Sequence, residues 1–289
     1  MTGLVDDAVT LPGGPRLALR RAGGPRRPFL LVHGLASNAR LWDGVAGRLA
    51  AAGHEAVAVD LRGHGRSEEP AAGYDTETCA ADLASLCRQL GLTGDRAPVV
   101  AGQSWGGNVA LALAAQHGGV AAIALVDGGW LRPRDRFPTF AECWRALAPP
   151  SFEGMPMAEL RARSASWHPD WPEEGRAAAL ANFVELPDGT VRARLARSHH
   201  ESIVRSLWEG DPARWYPLVA GPALLVPAVG DPPSERDAER AAAVEEALAA
   251  LPRAEVAWYR GADHDLHAQQ PERLCADLLR LAARAEELL

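Results

Sequence analysis

Short apolar runs, each closed by a polar or glycine-rich corner and followed by a helix-like stretch, constrain this chain's fold more than any other feature. Phe29-Leu30-Leu31-Val32 ends in His33-Gly34, and the run from Glu55 to Val59 ends in Asp60. Val99-Val100-Ala101-Gly102 leads into Gln103-Ser104, and Ala122 to Val126 stops at Asp127. Runs this short, with few polar residues, suit strands covered on both faces, which is the situation of a parallel strand. Helix-like stretches fill the intervals at 39–52, 76–91 and 105–117. The alternation predicts an α/β fold: a mostly parallel sheet with helices on both faces. Ahead of it, residues 8–23 read as a hairpin that turns at Pro12-Gly13-Gly14-Pro15.

The rhythm stops after Gly128-Gly129 and resumes with a strand at 223–229, a helix at 235–250, a strand at 254–258 and a closing helix at 271–288. Residues 131–216 therefore read as an inserted, mainly helical cap on a core formed by 1–130 and 217–289. Within the insertion, Leu186 to Val191 reads as a tight turn between two short strands.

Gly102-Gln103-Ser104-Trp105-Gly106-Gly107 lies where a strand passes into a helix. A serine hydroxyl is a poor nucleophile until it is exposed and paired with a base. A sharp strand-to-helix turn exposes it, and glycines two positions to either side remove Cβ clashes from that turn. The helix that follows aims its positive end at the place where negative charge develops. Ser104 is thus the candidate nucleophile, and the Trp105 and Leu35 amides are the candidate oxyanion donors, Leu35 standing in the His33-Gly34-Leu35 corner. The base is expected on a loop after a late strand, which selects His264 over His267 and over the other histidines. A carboxylate must fix the tautomer of that base. Asp231, after the 223–229 strand, is the preferred partner, and Asp127 is the alternative acid.

These motifs, with the Asp60-Leu61-Arg62-Gly63-His64-Gly65-Arg66-Ser67 run and the Gly261-to-His264 spacing, resemble the α/β-hydrolase fold family over all the core segments. The resemblance implies a capped serine hydrolase of the esterase-like branch, with the cap inserted after the strand that follows the nucleophile's helix. It also implies that the Asp60–Ser67 run shapes a loop beside the site without catalysing. A serine at the elbow departs from the aspartate of dehalogenases and epoxide hydrolases, and a large cap departs from haloperoxidase-like members. Proline iminopeptidase-like members share the G-x-S-W-G elbow; that reading needs a cap carboxylate to hold an amine, with Glu142, Glu153, Glu159, Glu173 and Glu174 available.

The expected activity is hydrolysis of a carboxylic ester, lactones and thioesters included, through an acyl-enzyme. The alternatives are an aminopeptidase and, in another class, a non-hydrolytic ligand-binding or lyase-like member. The expected partner is a small, largely apolar molecule, with Trp130, Trp144, Trp167, Trp171 and Trp208 as weak candidates for its pocket walls. No cofactor or metal is expected: all 30 basic residues other than histidine are arginine, so no lysine is available for Schiff-base chemistry. His199-His200 lack a spaced third ligand. A formal net charge of −7 argues against nucleic acid or an anionic membrane as partner. Scattered Cys79, Cys87, Cys143 and Cys275 read as reduced thiols, and the first residues do not form a signal peptide, so a cytoplasmic location is expected. The oligomeric state stays open.

Overall fold

The hairpin of β1 (Val5–Thr10) and β2 (Arg16–Ala22) opens the chain, and β3 (Arg26–Val32) begins the alternation. It continues through α1 (Asp43–Ala51), β4 (His54–Val59), α2 (Thr76–Gln89), β5 (Val99–Gln103), α3 (Trp105–Gln116) and β6 (Ala122–Val126). The computed structural model describes residues 3–288. After β6 come α4 (Phe140–Leu147), α5 (Met157–Trp167), α6 (Glu173–Leu180), β7 (Phe183–Glu185), β8 (Val191–Ala193) and α7 (Arg197–Glu209). The core then resumes with β9 (Ala223–Val226), β10 (Ala228–Val229), α8 (Glu235–Ala250), β11 (Ala254–Val256) and β12 (Tyr259–Arg260), and ends with α9 (Leu266–Gln269) and α10 (Pro271–Glu286).

Eight strands form the main sheet in the order β1-β2-β4-β3-β5-β6-β9-β11, antiparallel at the first hairpin and at β2–β4, and parallel from β4 onward. Alternate residues of each central strand serve opposite layers. Leu30 and Val32 of β3, with Ile123 and Leu125 of β6, pack into the layer that includes residues of α2, α3 and α8. Phe29 and Leu31, with Ala122, Ala124 and Val126, pack against residues of α1 and α10. This burial on both faces explains why the runs are apolar at nearly every position. All four cysteines are buried and free. No helix of the described residues is long and apolar enough to cross a membrane.

The expected 223–229 strand is in fact two strands. Pro227 has no N–H to donate, so pairing in the main sheet ends at Val226, and Ala228-Val229 leave it to pair with Tyr259-Arg260 in a separate two-stranded ladder. Of the expected 254–258 strand, only Ala254–Val256 pairs in the main sheet, as β11, and β12 begins just past its end, at Tyr259. In the inserted stretch, β7 and β8 pair antiparallel around the Leu186–Thr190 turn.

The loop after β4 is held from beneath by a buried ion pair. Arg62 Nε and Nη2 donate to Asp82 of α2 at 2.7 and 2.8 Å, and both side chains are about nine-tenths buried, at 9% and 10% exposure. Removing one member leaves the other charge buried without a partner. Asp82→Ala is therefore expected to lower the unfolding free energy by about 3–5 kcal/mol, read by urea denaturation.

Candidate active site

β5 runs straight into Ser104, which takes φ 54° and ψ −125°, a conformation that side chains other than glycine rarely adopt. The neighbouring glycines make it tolerable. A Cβ on Gly102 would strike the carbonyl of Gly106, one on Gly106 would strike that of His33, and one on Gly128 would strike that of Ser104. The elbow is thus wedged between the His33-Gly34 corner and the Gly128-Gly129 corner, with Ser104 N donating to Val126 O at 2.8 Å.

That bond fixes the site's geometry. Gln103 is paired with Val126 across β5 and β6, so the next residue on each strand, Ser104 and Asp127, projects from the same edge of the sheet. Asp127 is buried and takes φ 44°. Its Oδ2 accepts from His264 Nδ1 at 2.6 Å, and its Oδ1 accepts from Ala228 N at 3.1 Å and lies 3.1 Å from Arg240 Nε. The break at Pro227 frees the Ala228 amide for this role. Gln103 Nε2 donates to His264 O at 3.1 Å, so the residue before the serine also anchors the histidine loop. His264 is half-exposed, and its Nε2 has no protein partner among the described residues. Ser104 Oγ makes no hydrogen bond to it here; contacts of this kind commonly tighten only around substrate.

The acid is the correction to the sequence reading. Asp231 is exposed, two residues beyond β10, and makes no hydrogen bond to His264 among the described residues, whereas Asp127 receives the imidazole directly. Both end a strand at the carboxyl edge, but Asp127 follows the strand adjacent to the nucleophile's own. Burial pulls the His264 pKa down. The hydrogen bond to Asp127 and the charges of Asp265 and Asp127 outweigh that, and the result lies above the usual histidine value of 6.5.

Two buried histidines hold the corner that carries Leu35. His33 donates from Nδ1 to Gly34 O at 2.7 Å, and its Nε2 accepts from Leu61 N at 3.0 Å. His64 donates from Nδ1 to Arg62 O at 2.9 Å, and its Nε2 accepts from Ala36 N at 3.2 Å. Burial holds both pKa values below the ordinary value, which keeps the rings neutral and able to accept at Nε2. The Asp60–Ser67 run thus supports the corner through His64. The Leu35 and Trp105 amides donate to no protein group among the described residues.

A cavity of about 1050 Å³ opens between this corner, at Ala36, Ser37 and His64, and the inserted stretch. None of the five tryptophans lines it. Trp130 is in the core, Trp144 packs under Arg197, Trp167 is exposed, and Trp208 donates to Phe137 O at 2.7 Å. Trp171 is buried and donates to Asp263 Oδ2 at 2.8 Å, beside His264. Indoles seek a partner for their N–H, and those of Trp171 and Trp208 are already committed to protein acceptors. Phe152, Phe183 and Leu195 supply the apolar wall instead. Of the cap glutamates weighed for an amine, only Glu153 borders the cavity; Glu142 caps α4 and Glu159 pairs with Arg163. His199 stacks on Tyr74 beside Glu69, and His200 packs on Trp144.

If Asp127 is the acid that orients His264, Asp127→Asn should lower kcat by about 10³–10⁴-fold, while Asp231→Asn should leave it at the wild-type level. Steady-state kinetics on both variants, with circular dichroism to confirm folding, checks this.

Comparisons with known proteins agree with this fold. The sequence profile of the Alpha/beta hydrolase family matches residues 29–278. A non-heme chloroperoxidase of Streptomyces lividans is 40% identical over 107 residues, which are 36% of this chain and 38% of that protein. The match spans a similarly small part, 37%, of the AB hydrolase superfamily protein YisY of Bacillus subtilis. N-formylmaleamate deformylase of Pseudomonas putida is 29% identical over 218 residues, covering 74% of each chain. Among solved structures, E-2-(acetamidomethylene)succinate hydrolase superposes with a TM-score of 0.77 at 24% identity, covering 97% of this chain and 99% of that one. A malate-bound esterase from Thermogutta terrifontis gives a TM-score of 0.72 at 25% identity with the same coverage. With the profile spanning six of the eight strands of the main sheet, from β3 to β11, and the strand order that carries the elbow, the chain belongs to the alpha/beta hydrolase family.

Proposed function

We propose that this protein is a serine hydrolase that cleaves a carboxylic ester through an acyl-enzyme, with Ser104, His264 and Asp127 as its triad. The observation that carries the reading is the convergence of a strained, strand-end serine with a histidine whose Nδ1 is bound to a buried carboxylate. His264 Nε2 takes the proton of Ser104 Oγ as the oxygen attacks the carbonyl carbon. The Leu35 and Trp105 amides receive the oxyanion, and His264 returns the proton to the departing alcohol. Water, deprotonated by the same nitrogen, then releases the acid and restores the serine. Asp127 keeps the Nδ1–H tautomer and stabilises the imidazolium, and Arg240 and Ala228 N keep Asp127 in place.

A second reading exchanges the ester for an amide. The 29% identity to a deformylase over 74% of both chains favours it, and the same triad serves both bonds once the leaving nitrogen is protonated. Rates on matched p-nitrophenyl esters and anilides separate the two. A fluorophosphonate probe should label wild-type protein at Ser104, and Ser104→Ala should fold normally and lose roughly a thousandfold or more of kcat. Unlabelled, folded wild-type protein would instead favour the non-hydrolytic alternative.

The pH profile is a further check. The base works only when neutral, and its pKa is raised, so activity should be full at alkaline pH and fall as pH drops through a midpoint above 6.5. In Asp127→Asn two of the raising contributions are gone, and the midpoint of the residual activity should move to lower pH.

A further inference from the structure

Arg194, directly after β8, contributes to the wall of the cavity described above and to that of a second cavity of about 640 Å³ on its other side. Its side chain is half-buried, and it forms no ion pair among the described residues. This sets it apart in a chain rich in arginine. Among the described arginines without a carboxylate partner, Arg176 and Arg194 alone are not exposed, and Arg176 is bonded to the carbonyl of Trp171. Arg194 has one protein acceptor, Ala181 O, which Nε reaches at 3.3 Å. Both Nη groups are left without one among the described residues.

A half-buried guanidinium is less screened by water than an exposed one, and donors that meet no protein acceptor are free for a ligand. Its planar fork matches the two oxygens of a carboxylate. The placement of Arg194 is also fixed relative to the reacting centre. Its backbone N donates to Asn182 O at 2.9 Å, and Asn182 Oδ1 accepts from Asn38 Nδ2 at 2.6 Å. Asn38 lies just past the Gly34–Ser37 corner, which forms the near end of the larger cavity. Arg192 and Arg197 border the same cavity and also lack carboxylate partners among the described residues. Its own carboxylates, Glu153 and Asp188, are both exposed, and Asp188 is bound to Thr190. Phe152, Phe183 and Leu195 share this cavity with Arg194 and with Ala36 and Ser37 of the corner whose Gly34 lies against Ser104.

We infer that the site takes substrates whose apolar body ends in a carboxylate remote from the scissile bond, and that Arg194 is the receptor for that carboxylate. The inference rests on the hydrolase reading of Ser104 and names its substrate class. The three arginines of this cavity exceed its two carboxylates by one charge, which makes a monoanionic carboxylate the fitting group.

The test compares mono-p-nitrophenyl esters of straight-chain dicarboxylic acids with p-nitrophenyl esters of neutral fatty acids of equal length. Wild-type kcat/KM should favour the charged series by about tenfold to a hundredfold at its best length, and the preference should shrink as salt is raised. Arg194→Gln should bring the ratio of the two series close to one, and Arg194→Lys should restore part of it. Fluorophosphonate labelling of each variant at Ser104 reports an intact fold. In wild-type protein, free dicarboxylates should protect Ser104 from the probe better than their diamides, which needs no variant. Equal rates on both series, or a ratio unchanged in Arg194→Gln, would overturn the inference and leave the hydrolase reading standing. Absence of labelling and of turnover on every ester would remove the hydrolase reading itself.

Discussion

The hydrogen bond from Ser104 N to Val126 O, at the carboxyl edge of two parallel strands, is the constraint on which the site depends. It continues the β5–β6 ladder one residue past the end of β5, so Ser104 and Asp127 leave the sheet side by side. Everything else in the site is arranged around that edge. Glycines let three corners approach within contact of one another, and Gln103 reaches from the strand to the histidine loop. The α3 N-terminus begins where an oxyanion would need it. The sheet is rigid because its central strands are buried on both faces, and that rigidity fixes the relative positions of Ser104 and Asp127.

Around this edge the charges fall into a graded order. Asp127 is buried but supplied with a guanidinium, an amide and an imidazole, so its negative charge is satisfied on both oxygens. His33 and His64, equally buried, are kept neutral and act as hydrogen-bonding struts between loops. Of these three rings, His264 is the one that combines a carboxylate partner with partial exposure, and its proton affinity is raised as a result. Histidine thus performs two kinds of work within one region, and the environment of each ring decides which.

Most of the fold was legible because period and punctuation agreed along the chain. The elbow at 102–107, the corner at His33-Gly34 and the loop at Gly261–His264 each combined a strand end with a residue type that the chemistry requires. The acid was less legible. Asp127 and Asp231 both follow apolar runs, and only pairing in space distinguishes them. The proline within Ala223–Val229 was the available signal: it ends the strand at Val226 and sends the following residues toward β12. The tryptophans misled for a different reason. Composition placed aromatic mass in the inserted stretch but not its direction, and indole N–H groups seek carbonyls and carboxylates rather than an open cavity. Arg240 and Gln103 make their contacts between segments far apart in the chain, for which local sequence carries no mark.

The indole of Trp171 is hydrogen-bonded to Asp263, one residue before His264, and α6 beside it packs Gly175 against Ala268. The inserted stretch is thereby moored to the same loop that carries the base. An outward swing of this part of the roof must either part that mooring or drag the imidazole away from Asp127. On this side of the molecule, movement of the inserted stretch and movement of the His264 loop are mechanically coupled, and a doorway that leaves the imidazole undisturbed has to open elsewhere along the rim.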